Sequence, residues 1–212
     1  MLSTLILAAA LTSASPTGAH ADPLSGAIEH FRTVESYRVT IRSTHAGSEE
    51  HIRYYYRQPG FVRMEFIRPH AGAVMIYNPD TRRVRVWPFG AGHVPELDMS
   101  PGNSFIKSSS GMRIDHSDVG ALFENIRALR EQGDTEVLGD ETADGRTVSH
   151  FIVTGGEGAA VADVHSSELW LDMASQFPAK VISRDIRGAI IETVIMEALE
   201  INGKLPETLF NP

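Results

Sequence analysis

Tyr54-Tyr55-Tyr56-Arg57-Gln58-Pro59-Gly60-Phe61-Val62-Arg63-Met64-Glu65-Phe66 decides how the rest of the chain is read. Ile52, Tyr54 and Tyr56 alternate with His51, Arg53 and Arg57, the period of two that puts one side of a strand in a core and the other in water. Pro59-Gly60 is turn chemistry, since proline presets one backbone angle and glycine tolerates the tight bend. Beyond the turn the alternation resumes, with Val62, Met64 and Phe66 set against Arg63 and Glu65. The stretch therefore predicts two half-buried antiparallel strands whose large apolar side chains share one face.

The same period extends outward. Tyr37, Val39 and Ile41 alternate with Arg38, Thr40 and Arg42, and Asn78-Pro79-Asp80-Thr81 is a second turn joining strand 73–77 to strand 84–87. Before them, Asp22-Pro23 offers an N-cap and a first-turn proline to an amphipathic helix carrying Leu24, Ile28 and Phe31 and running to about Thr33. Residues 88–103 lose periodicity and collect glycine and proline, the mark of a lid, a binding loop or a disordered segment. Ser117 and Asp118 then offer caps to a second helix with Val119, Leu122, Phe123, Ile126 and Leu129 at spacings of three and four. Further strands follow at 136–139 and 147–154, around Asp144-Gly145, and at 168–172, 179–186 and 190–201. The total is roughly nine or ten strands with two helices between them and no βαβ alternation, which predicts an α+β fold. The expected form is a strongly curved antiparallel sheet, an unclosed β-barrel, with helices covering its concave face.

Residues 1–21 are expected to be a removable signal peptide. Leu2 to Leu11 is an apolar run and Ala19-His20-Ala21 a small-x-small cleavage pattern, leaving 22–212 as one domain in the periplasm, soluble and without a lipid anchor. The chain has no cysteine, so there is no disulfide framework, thiol nucleophile or acylated N-terminal cysteine. A net charge of −8 argues against nucleic acid, whose binding needs a basic face. Basic residues do gather locally, at Arg53, Arg57, Arg63 and Arg68 and at Arg82, Arg83 and Arg85; a solvated outer strand face is preferred over a docking patch.

No catalytic set emerges. Gly-x-Ser-x-Gly, His-Glu-x-x-His and phosphate-loop patterns are absent. The most suggestive polar cluster is Arg113-Ile114-Asp115-His116-Ser117-Asp118, which could supply Asp115, His116 and Asp118 to a metal or to acid–base work. The preferred reading is the capped start of a helix. Asp163, His165 and His150 could complete a metal site only if the fold gathered them. No cofactor and no metal are expected.

Three stretches carry a family resemblance. They are the hairpin Arg57 to Glu65; the segment Gly72-Ala73-Val74-Met75-Ile76-Tyr77-Asn78-Pro79-Asp80; and the C-terminal run of Leu169 to Asp172, Asp185 to Gly188 and Asn202 to Pro212. Together they resemble the LolA family of periplasmic lipoprotein carriers and its lipoprotein-sorting relatives, over most of the chain. The resemblance implies an unclosed barrel, a helical lid and an apolar cavity that accepts acyl chains. It puts Val39, Ile41, Ile52, Tyr54, Tyr56, Val62, Met64, Phe66 and Met75 on the cavity wall. Gln58, Leu122, Phe123 and Ile126 would form the lid. An ordinary closed core remains the other reading of the same alternation. One departure stands out: carriers of this type place an arginine immediately before the hairpin proline, and here that position is Gln58. The expectation is a divergent, monomeric, non-enzymatic carrier of an acylated lipid or lipoprotein, with membrane-bound donor and acceptor proteins as candidate partners. A periplasmic sensor or adaptor on the same scaffold is the alternative, and a hydrolase the third.

Overall fold

The computed structural model describes residues 22–212; the expected signal segment 1–21 lies outside them. Among the described residues there are two α-helices, α1 (Pro23–Phe31) and α2 (Val119–Arg130). The strands are β1 (Ser36–His45), β2 (Ser48–Arg57), β3 (Phe61–Arg68), β4 (Val74–Asn78), β5 (Arg83–Trp87), β6 (Leu97–Met99), β7 (Asp134–Ala143), β8 (Arg146–Thr154), β9 (Ser166–Asp172), β10 (Pro178–Arg184) and β11 (Ile190–Ile201). They form one antiparallel, curved, unclosed sheet in the order β6-β5-β4-β3-β2-β1-β11-β10-β9-β8-β7. The α+β class and the unclosed sheet are as expected. The strand count rises to eleven. The addition is β6, inside the stretch read as aperiodic, where Asp98 accepts from the Arg83 guanidinium at 2.7 Å and draws the loop onto β5.

The order explains how the face is covered. The chain walks outward from β1 to β6, then returns inward from the opposite edge, β7 to β11, until β11 pairs with β1. The two edges are thus joined by residues 100–133, and this connection, with α2 in it, runs across the concave face. Alternation supplies the apolar floor beneath it. Tyr37 pairs with Tyr56, Val39 with Tyr54 and Ile41 with Ile52, while Tyr56 faces Val62, Tyr54 faces Met64 and Ile52 faces Phe66.

Helix ends are fixed by their caps. Asp22 accepts from Leu24 N–H at 3.2 Å, and Asp118 from Ala121 N–H at 3.1 Å. Ser117, offered as an alternative cap, instead donates to the Ile114 carbonyl at 2.7 Å. Asp22 also pairs with Arg130, tying the start of α1 to the end of α2. Burial pulls the Asp22 pKa up, but hydrogen bonds from Ser25 and Arg130 and the Arg130 charge outweigh it, and the net shift is down. The helices touch where Gly120 leaves room for Phe31: a Cβ at position 120 would lie 2.5 Å from the Phe31 ring. A glycine inside a helix costs about 1 kcal/mol relative to alanine, a cost offset here by the aromatic packing it permits.

The convex face carries a second, smaller apolar cluster. Phe210 of the C-terminal tail is buried with Val74, Ile76 and Trp87, and the Arg63 guanidinium, itself buried, donates to the Leu209 carbonyl at 2.7 Å. The closing Leu-Pro…Phe…Pro pattern is therefore a strap across the outside of β3–β5. The basic residues of this face are largely neutralised. Arg53 and Arg63 pair with Glu65, Arg68 with Glu49, Arg83 with Asp98 and Arg85 with Glu96, while Arg57 lies over Phe61 and Phe210.

Candidate binding cavity

The helices do not fill the concave face. At one end, α1 and α2 sit directly on the floor: Phe31 packs on Tyr56, Phe123 and Phe177 with ring centroids 5.9, 6.3 and 5.9 Å apart, and Tyr37 stacks on Tyr56 at 5.1 Å. Leu24, Ala27, Ile126 and Leu129 close this half completely. At the other end a cavity of about 400 Å³ remains. Its floor is Ile41, Ile52, Tyr54, Met64, Phe66, Met75, Val86, Val181, Val194 and Met196. Its roof is residues 105–119, with Leu122 and Asn125 of α2.

The cavity wall divides the residues named from sequence. Ile41, Ile52, Tyr54, Met64, Phe66, Met75 and Leu122 line it. Val39, Tyr56, Val62, Phe123 and Ile126 do not; they are buried in the packed half. Gln58 lies away from the cavity, in the exposed β2–β3 turn, where its backbone N–H donates to the Glu35 carbonyl at 2.8 Å. The physical reason is position along the strand. Alternation assigns a face, but Tyr56 and Val62 lie toward the hairpin turn, under the helices, whereas Ile52 and Phe66 lie beyond their reach. Apart from Leu122, the roof residues and those of β10 and β11 escaped the sequence reading as cavity lining. Val181, Val194 and Met196 carry the alternation that could have found them, and the roof carries none.

The boundary between the halves is held by polar bonds. Tyr37 accepts from the Val119 N–H, at the first turn of α2, at 3.1 Å. Tyr54 shares a hydrogen bond of 3.0 Å with Ser117. Burial pushes these phenols up: Tyr56 to about 12, Tyr37 and Tyr54 well above the ordinary value, helped by the nearby Asp118 charge. They remain neutral donors and acceptors and are in no state to serve as bases. The roof between Phe105 and Ser117 is anchored by the buried Ile106 and Ile114. A further link to the sheet is Glu50, whose carboxylate accepts from Ser109 N–H at 2.9 Å. Phe105 stands 87% exposed at the cavity mouth.

The suggestive polar cluster is dispersed into structural roles. Arg113 binds Asp115 at 2.6 Å, His116 is exposed and Asp118 caps α2. His150 stacks on Trp170 at 4.2 Å and bonds Glu168 at 3.0 Å, and His165 meets the Ala159 carbonyl. Among the described residues no three His, Cys, Asp or Glu side chains gather where they could hold a metal. Nor is any helix among them long and apolar enough to cross a membrane.

No protein-family model matches the chain, and no curated protein does. Solved structures match along most of its length. An uncharacterized conserved protein from Thermus thermophilus superposes with a TM-score of 0.55 at 12% identity, covering 89% of this chain and 91% of that one. This chain has that fold. It is shared by the Pseudomonas aeruginosa MucA/MucB complex structure (TM-score 0.54, 17% identity, 89% of this chain and 59% of that one). It is shared too by the Mycobacterium tuberculosis lipoprotein LppX (0.52, 10%, 87% and 95%).

Proposed function

We propose that the chain is a divergent LolA-like carrier, exported by residues 1–21 and folded over 22–212, that holds an acyl chain of a lipid or lipoprotein in the cavity for transfer towards the outer membrane. The observation that carries this is the hollow half of the concave face: about 400 Å³ floored by aliphatic, methionine and aromatic side chains under the roof of residues 105–119. That volume lies within the ~300–1,000 Å³ of small-molecule sites. The energetics suit a carrier without chemistry. Burying a C16 chain is worth ~0.8 kcal/mol per CH₂, roughly 12 kcal/mol in all, and a bilayer offers about the same. A carrier must nearly match the membrane and then release to a slightly better acceptor, a task that many weak apolar contacts suit.

The test is native mass spectrometry of the protein purified after export, before and after organic extraction. The expected result is a stoichiometric acylated mass that extraction removes. An apo mass that persists when lipid is offered contradicts it. A protein-binding adaptor is the second reading, supported by the fold shared with the MucA/MucB complex structure. It would show a persistent protein partner and no extractable lipid.

A further inference from the structure

The cavity is apolar through most of its depth but has one polar end. On the inner face, Glu50 of β2 stands opposite Ser43 of β1, and Glu192 of β11 stands opposite Ser183 of β10. All four line the cavity, and the Ser43 hydroxyl, 5% exposed, donates to Glu192. These residues form a polar row across four adjacent strands, at the end away from α1 and α2. The inner face is otherwise dominated by large apolar side chains. Two carboxylates there can only accept hydrogen bonds. The roof contributes Lys107 to the lining, while Arg113 is already held by Asp115.

Resting on the carrier reading, we propose that the ligand is an amphiphile whose head group bears an ammonium, tail inward and head at this polar row. The cavity of about 400 Å³, floored by apolar side chains, takes the tail. Charge sets the head. A bare fatty-acid carboxylate would meet Glu50 and Glu192 with like charge, whereas an ammonium pairs with them and leaves any phosphate of a zwitterionic head to Lys107.

The experiment is calorimetric titration of the full chain with two probes of equal tail length, myristoyl lysophosphatidylethanolamine and myristate. The lysolipid is expected to bind at least tenfold more tightly than myristate. Glu192→Gln and Glu50→Gln, close in shape to the native residues, are expected to bring the lysolipid-to-myristate ratio towards one while myristate affinity rises. Myristate binding as tight as the lysolipid, or a ratio unmoved in both variants, overturns the proposal and leaves an acyl carrier of other specificity. Failure of every probe to bind overturns the carrier reading with it.

Discussion

The packed and hollow halves of the concave face are built from the same strands. On β2, Tyr56 lies under Phe31 while Ile52, four residues away on the same side, faces empty space. The strands do not distinguish them. What does is where the helices stop, and that is set by Asp118 capping α2, by Tyr37 and Tyr54 gripping its start, and by Gly120 letting Phe31 close the interhelical gap. Stability is concentrated in one half, leaving the other free to admit a guest.

The largest expected effect breaks the packed half. Phe123→Ala should cost about 3–5 kcal/mol in denaturant unfolding, the range for deleting a fully buried aromatic side chain. The matching change in the hollow half, Phe66→Ala, should cost only about 1–2 kcal/mol, since that side chain is half-buried and already borders a void. Equal costs would erase the distinction between the halves.

A smaller effect is expected at the boundary. Tyr37→Phe leaves the Val119 N–H without its acceptor in a buried place, for about 1–3 kcal/mol, and should accelerate amide exchange at Val119. A neutral Tyr37→Phe would mean that packing alone positions α2. The smallest effect is at the helix pair. The folded pKa of Asp22 lies below its ordinary value of 3.8, so its contribution is complete above that value and is lost as pH falls through the folded pKa. Asp22→Asn keeps a good cap but removes the charge. It should lower stability at neutral pH by about 0.5 kcal/mol and flatten the acid limb of the pH–stability curve. An unchanged acid limb would place that pH dependence elsewhere.

The strands, both helices and the shared apolar face were legible because alternation and helical spacing are local properties of the chain. Asp118 was legible as a cap and Pro59-Gly60 as a turn for the same reason. The division of the face was not. Whether Tyr56 or Ile52 meets a helix depends on α1 and α2 folding back from distant parts of the sequence, which no period records. The roof ahead of α2 was missed because residues 104–116 form only two short 3₁₀ turns, too brief to write a pattern. The C-terminal strap read as a motif, but its role on the convex face followed only from seeing Phe210 beside Trp87.

The most direct test of the central claim is to plug the hollow half and leave the packed half alone. Val194→Trp projects into the cavity between Ser43 and Val181, where space rather than side chain awaits it. Binding of a fluorescent acyl probe to the wild-type chain and to this variant should be compared, with thermal unfolding as the control. The account predicts saturable one-to-one binding lost by at least tenfold in the variant, with the unfolding midpoint within a few degrees of wild type. Undiminished binding by a folded Val194→Trp protein would contradict it.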